Sequence, residues 1–152
     1  MAISYTNIWY DYILSKIRVF LRTEFGSAVS VYIGEYKGSS NEMIRLVPLD
    51  SRVINTSANH ILKEYSVGVY YYYSLKNIQH NAFTEHILKR VSRIEGIFHD
   101  NLNKNHSTGV NAYFEGILEG VLLDAPKLDE PEDFEGYIAR WEFTCKNLGN
   151  IS

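Results

Sequence analysis

The chain has 152 residues, of which 45% are apolar and 22% are charged, and its formal net charge is −3. This length fits a single domain over residues 1–152, which would bury roughly 70% of its unfolded surface. The charge excludes a global basic field that would recruit nucleic acid, and the lone Cys145 excludes an intrachain disulfide. Because no signal peptide pattern or membrane-length apolar run is present, we expect a soluble intracellular protein with no membrane contact.

The first predicted element is an amphipathic helix over residues 6–25. Apolar residues such as Ile13 and Ile17 recur at three- and four-residue steps, with charged residues between them. Thr6 is the predicted N-cap, and Gly26 is the predicted stop signal.

Two strands and a loop are predicted next. Ala28–Tyr36 and Glu42–Leu49 have the alternation and β-branched content of strands, with a turn at Lys37–Asn41. Pro48 predicts an edge or a bend at the end of the second strand. The polar residues of Asp50–Lys63 predict a mobile loop, with a short turn of helix at Ala58–Leu62 as an alternative for part of it.

The strongest strand signal, Glu64–Leu75, leads into a long amphipathic helix over Asn81–Asn101. Alternation gives the strand an apolar core face and a second face that carries Tyr70 and Tyr72 among small residues. The helix has an apolar stripe for the core. The core-facing residues are predicted to be Tyr65, Val67, Val69, Tyr71 and Tyr73 of the strand and Phe83, Ile87, Val91, Ile94 and Phe98 of the helix.

The last predicted elements are two long strands, Ala112–Asp124 and Glu135–Leu148. The full order is therefore helix, three strands, helix, two strands. This order predicts an α+β fold, a mostly antiparallel sheet with two amphipathic helices packed on it and long hairpins at the periphery.

Two candidate interaction surfaces lie on this framework. Tyr70 and Tyr72 are typical of packing against a neighbouring subunit, and Lys89, Arg90 and Arg93 form a basic patch on the outer side of the second helix. A nucleic-acid stacking platform is the alternative for the tyrosines, but the residues next to them in sequence provide no basic groove.

Carboxylates form a second group of candidates, as lumen-facing or partner-facing acidic residues. Alternation predicts that Glu115 and Glu119 share one strand face. The other members lie in the acidic connection between the last two strands. The candidates are Glu115, Glu119, Asp129, Glu130, Glu132 and Asp133.

No catalytic, cofactor or metal motif is recognisable, so we predict a protein that is not an enzyme and has no cofactor. His60 and Glu64 are four residues apart but lack an obvious third ligand. Cys145 lies among apolar residues, where a buried, inert thiol is expected. The pairing of Glu115 with Glu119 as acid and base is the weaker interpretation of those carboxylates.

Over nearly its whole length the chain resembles the tail terminator, or tail-completion, proteins of tailed bacteriophages. The resemblance rests on the N-terminal helix Ile8–Phe25, the strand Val67–Ser74, the helix Phe83–Phe98 and a closing hairpin that ends in Tyr-Ile-Ala-Arg-Trp-Glu-Phe-Thr-Cys145. It consists of residue types in a given order rather than invariant motifs.

This resemblance implies a virion structural protein, assembled in the host cytoplasm, that forms a homo-oligomeric ring, usually a hexamer. Such a ring caps the tail tube, ends tube polymerisation, and joins the tail to the head connector or neck protein. DNA passes through its lumen without specific binding.

Two alternatives stay open. The chain could be another neck or tube subunit, or, in a different class, a small α+β enzyme or ligand-binding domain. A pocket that gathers His60 and Glu64 would favour the latter.

Overall fold

A computed structural model describes residues 7–34, 42–57, 60–74, 83–102, 111–124 and 136–150. Helix α1 starts as a π-helical segment, Ile8–Leu14, and continues as an α-helix over Ser15–Phe25; helix α2 is Phe83–Asp100. The strands are β1 (Ser30–Ile33), β2 (Glu42–Thr56), β3 (His60–Ser74), β4 (Asn111–Asp124) and β5 (Gly136–Asn150). The predicted α+β class is confirmed.

Helix α1 occupies nearly the predicted range but has a different N-cap. The side chain of Asn7 accepts a hydrogen bond from the backbone N–H of Tyr10 at 3.2 Å, so Asn7 takes the capping role predicted for Thr6, which lies outside the described residues. The helix ends at Gly26 as predicted. Gly26 has a positive φ of 59°, a conformation that favours glycine, and its N–H donates to the carbonyl of Arg22 at 2.8 Å.

The five strands form one sheet in the order β1-β2-β3-β5-β4. Strands β2, β3, β5 and β4 pair antiparallel, whereas β1 pairs parallel with β2, over Ser30–Ile33. Within the described residues β1 is shorter than the predicted Ala28–Tyr36. The turn predicted at Lys37–Asn41 lies outside them.

Strands β2 and β3 form a long hairpin, and this corrects one prediction. The segment Asp50–Lys63 was expected to be a loop, but Asp50–Thr56 continues β2 and Ile61–Lys63 belongs to β3. Because β3 is held on its other side by β5 along its whole length, it offers β2 a continuous ladder of backbone hydrogen bonds. Backbone pairing thus keeps a polar segment extended despite its loop-like composition.

Both helices pack on one face of the sheet and form the main core with it. The aromatic rings of Phe98 in α2 and Phe143 in β5 stack at 3.7 Å, and the indole N–H of Trp141 donates to Glu95 at 3.2 Å. The predicted core residues with described side chains are buried or packed against this core. The fully buried members include Ile13, Ile17, Leu21, Ile44, Leu46, Val67, Val69, Tyr71, Ile94, Phe143 and Cys145.

Candidate interaction surfaces

The far half of the β2–β3 hairpin is exposed mainly along its β2 strand. We call it the distal arm: residues 48–56 of β2 with residues 61–67 of β3, which pair with them. Three large apolar side chains remain accessible there, with exposed fractions of 43% for Leu49, 54% for Val53 and 42% for Ile54. Since β1 pairs only as far as Leu46, the described part of β2 has a free edge along the distal arm.

Two β-bulges shape this free edge. The register shifts at Leu49 and again at Ile54, so each of these residues is an extra one opposite β3. A bulge bends the strand and re-aims its side chains. Val53 and Ile54, which lie at the second bulge, are both exposed. Pro48 directly precedes the first register shift, but the strand does not end there as predicted, because β2 continues to Thr56.

The base of the distal arm is anchored to the rest of the fold. The ring of Trp9 in α1 packs edge-on against Tyr65 of β3, with 5.2 Å between centroids. Further out, Arg52 and Glu64 form an ion pair across the two strands, with a nitrogen–oxygen distance of 3.0 Å. The first contact holds the distal arm to α1, and the second holds its two strands together.

The sheet face opposite the helices carries a second, smaller apolar cluster. Met43, Tyr72 and Ile138 are adjacent in register on β2, β3 and β5, and they are buried. Tyr72 is only 4% exposed, so its side chain has little surface to offer a neighbouring subunit. Tyr70 is half-buried at the border of this cluster and keeps accessible surface. The predicted interface role therefore rests on Tyr70.

Beside that cluster, tyrosines and arginines alternate across four strands. Tyr32, Arg45, Tyr70 and Arg140 are successive partners in register on β1, β2, β3 and β5, and we call them the Tyr–Arg row. The guanidinium carbon of Arg45 lies 5.2 Å from the ring centroid of Tyr70. Arg140 is exposed. The basic groups that the sequence around the tyrosines lacked thus come from the adjacent strands.

A largely buried carboxylate connects α2 to the sheet. Glu42 accepts hydrogen bonds from the hydroxyl of Tyr71 at 2.8 Å and from Nε of Arg90 at 2.9 Å, and Nε2 of His86 lies within hydrogen-bond distance of its other oxygen. Burial, together with the adjacent Glu42 carboxylate, raises the pKa of Tyr71 well above its ordinary value. Because Tyr71 is fully buried, these groups suit anchoring of the helix better than chemistry on a bound substrate.

The predicted basic patch on α2 is largely occupied by contacts within the chain. Arg90 is bound to Glu42, and Arg93 pairs with Glu24 at 2.9 Å while its guanidinium lies over the ring of Phe25 at 4.7 Å. Lys89 is exposed and lies 3.5 Å from Glu85, one turn away on the same helix. Lys89 is therefore the member of the patch with the most freedom to meet a partner.

The acidic candidates divide into two groups. Asp129, Glu130, Glu132 and Asp133 lie outside the described residues. In β4, register shifts at Glu115 and again at Leu118 interrupt the alternation that was expected to place Glu115 and Glu119 on one face. Glu115 is the extra residue at the first shift, and Glu119 is opposite Glu142 of β5. Strand alternation alone therefore does not place Glu115 and Glu119 on the same face.

His60 and Glu64, the residues named for the enzyme alternative, both lie in β3. The described residues contain no cluster of three or more metal-ligating side chains, and none of their helices is long and apolar enough to cross a membrane. Glu64 is bound to Arg52 in the distal arm, and His60 is at the start of β3. Cys145 is fully buried, as predicted.

No family model matches the chain, and no curated protein matches it significantly.

Proposed function

We propose that this chain is a ring-forming structural subunit of a phage virion, of the tail-terminator type that it resembles. In this proposal the ring, hexameric as in that family, caps the tail tube and ends its polymerisation. It then joins the tail to the head connector or neck protein, and DNA passes through its lumen.

The observation that carries the proposal is the exposed apolar surface of the distal arm. Leu49, Val53 and Ile54 are each more than 40% exposed on a strand whose outer edge has no partner among the described residues. Three large apolar side chains exposed within six residues of one strand favour a surface that another protein covers. A free strand edge is also a template for pairing with another chain.

In the proposed ring the subunits assemble head to tail rather than as a symmetric dimer. The described sheet has β4 at one edge, and at its other edge β2 continues beyond the end of β1. Contacts between two different surfaces of identical subunits are heterologous, and they close into a ring when the rotation permits. The distal arm of one subunit would meet a different surface of the next.

The acidic candidates keep their proposed role within this assembly. Carboxylates such as Glu119 of β4, or those of the acidic connection, would line the lumen and repel DNA phosphates. Tail tube protein and the connector or neck protein would bind the two ends of the ring.

The test is the mass and shape of the purified protein, alone and with tail tube protein. Light scattering on a size-exclusion column should give a multiple of the 17.5 kDa chain, and negative-stain microscopy should show a ring with a central hole. Monomeric protein under both conditions would contradict the proposal.

A further inference from the structure

The sheet ends in two different edges. One is the outer side of β2 beyond Leu46, where β1 no longer pairs with it, and the other is the outer side of β4. Within the described residues, neither edge has a further strand beside it. The backbone N–H and C=O groups along an unpaired edge are a template for pairing with another strand. Each subunit therefore presents two edges on which a second copy can build.

Irregularities restrict the β2 edge to a short regular run. The register shifts at Leu49 and Ile54 interrupt the ladder, and the run between them is Asp50–Val53. Bulges protect an edge against strands of arbitrary register, but a regular run between two bulges keeps its pairing geometry. The side chains of this run are exposed apart from Ser51, which is half-buried. The run is therefore accessible to a partner strand.

The β4 edge contains a matching run. Its own register shifts separate two regular runs, Asn111–Phe114 and Glu119–Asp124, of which the second is the longer. The central residues of that second run, Gly120–Leu123, include no charged residue and no proline. Charged residues and proline are the usual protection of an edge strand against pairing. The second run lacks this protection, and its valine and two leucines suit the apolar side chains of the distal arm.

The strand order fixes the direction of such a pairing. Strands β2 and β4 run in opposite directions, because the pairs β2–β3, β3–β5 and β5–β4 are each antiparallel. When the axis of a ring runs along the strands, rotation to the next subunit preserves every strand direction. Strand β4 of one copy is then antiparallel to β2 of the next. Two different edges meet in this contact, as a heterologous ring interface requires.

We propose that residues 50–53 of β2 pair antiparallel with residues 119–124 of β4 in a second copy of this chain. The sheet then continues from one subunit into the next, and the exposed side chains of Leu49, Val53 and Ile54 contact the apolar residues of the β4 run. This inference rests on the proposed ring and names the surface that the distal arm meets in it.

The experiment measures hydrogen–deuterium exchange by mass spectrometry in wild type and in Val53→Asp. The peptide that contains Glu119–Asp124 is decisive, because it is not mutated and β3 and β5 separate it from β2 within one chain. In assembled wild type its outward-pointing amides, about half of the run, should exchange at least about tenfold more slowly than in Val53→Asp. The peptide that contains Asn111–Phe114 should exchange alike in both proteins and serves as the internal reference.

A matched pair of β4 variants gives an independent readout. Val121 and Asn111 each lie opposite an exposed residue of β5 in register, so glutamate at either position is compared in similar surroundings. Val121→Glu places a charge on the proposed pairing run and should weaken assembly about tenfold or more, measured by light scattering across a dilution series. Asn111→Glu should assemble like wild type.

The edge pairing and the ring fail in different ways. A wild-type multimer whose Glu119–Asp124 peptide exchanges as fast as in Val53→Asp would overturn the edge pairing and leave the ring intact. Equal assembly of Val121→Glu and Asn111→Glu, or assembly of Val53→Asp like wild type, would do the same. Wild type that stays monomeric would contradict the ring and the edge pairing together.

Discussion

The two halves of β2 both belong to one β-strand but have opposite surroundings. In Glu42–Val47 the strand is paired on both sides over Met43–Leu46 and covered by the cores on both sheet faces, and Ile44 and Leu46 are fully buried. From Pro48 onward it is paired with β3 alone, and Val53 and Ile54 are exposed. An apolar residue in this strand is therefore buried or exposed according to what packs on it. The second half provides a surface that a partner can cover.

The largest expected effect comes from truncating one apolar side chain in each half of β2 and comparing the losses of stability. Leu46→Ala removes fully buried methyl groups and should lower the free energy of unfolding by about 2–5 kcal/mol. Val53→Ala, at a side chain that is 54% exposed, should change the free energy of the monomer by less than about 0.5 kcal/mol. Urea denaturation of both variants at low protein concentration checks the prediction. Equal losses would show that the distal arm is packed like the core.

An ion pair in each half gives the second test. Arg90→Met leaves the carboxylate of Glu42 without its guanidinium partner, and both side chains are largely buried, so a loss of about 3 kcal/mol is expected. Arg52→Met breaks the pair with Glu64, but Arg52 is 74% exposed and water screens the charges, so a loss below about 1 kcal/mol is expected. Thermal denaturation of the two variants measures both values. A larger effect at Arg52 would contradict the difference in burial.

The third and smallest effect concerns alkaline pH. The raised pKa of buried Tyr71 means that, above its ordinary value of about 10, the folded chain holds a proton that the unfolded chain releases. The unfolding free energy should therefore be unaffected by this group below pH 10 and should fall as pH rises above it. Tyr71→Phe should have a flatter profile between about pH 10 and 11. An unchanged slope would show that Tyr71 does not resist ionisation.

The sequence was sufficient for features that depend on local pattern. Apolar periodicity predicted helix α1, the core face of β3 and the apolar stripe of α2, and the structure buries residues of each pattern. The glycine stop signal predicted the end of α1 at Gly26. The parallel pairing of β1 with β2 did not follow from that periodicity, because partner and direction are set by tertiary packing.

The remaining features depend on contacts between distant residues. The distal arm was mistaken for a loop because polar composition outweighed the pairing that β3 provides. The Tyr–Arg row was not visible because Arg45 and Arg140 are 25 and 70 residues away from Tyr70 in the chain and meet it only through register. Arg90 looked like a free surface cation because its partner Glu42 is 48 residues away.

The most direct test of the account compares two exposed valines. Val53 of the distal arm and Val19 of α1 are 54% and 55% exposed, so Val53→Asp and Val19→Asp introduce the same charge at equally accessible sites. Light scattering should show wild type and Val19→Asp as the same multimer and Val53→Asp as a folded monomer with an unchanged circular dichroism spectrum. A Val53→Asp protein that assembles like wild type would contradict the claim that the distal arm is an assembly surface.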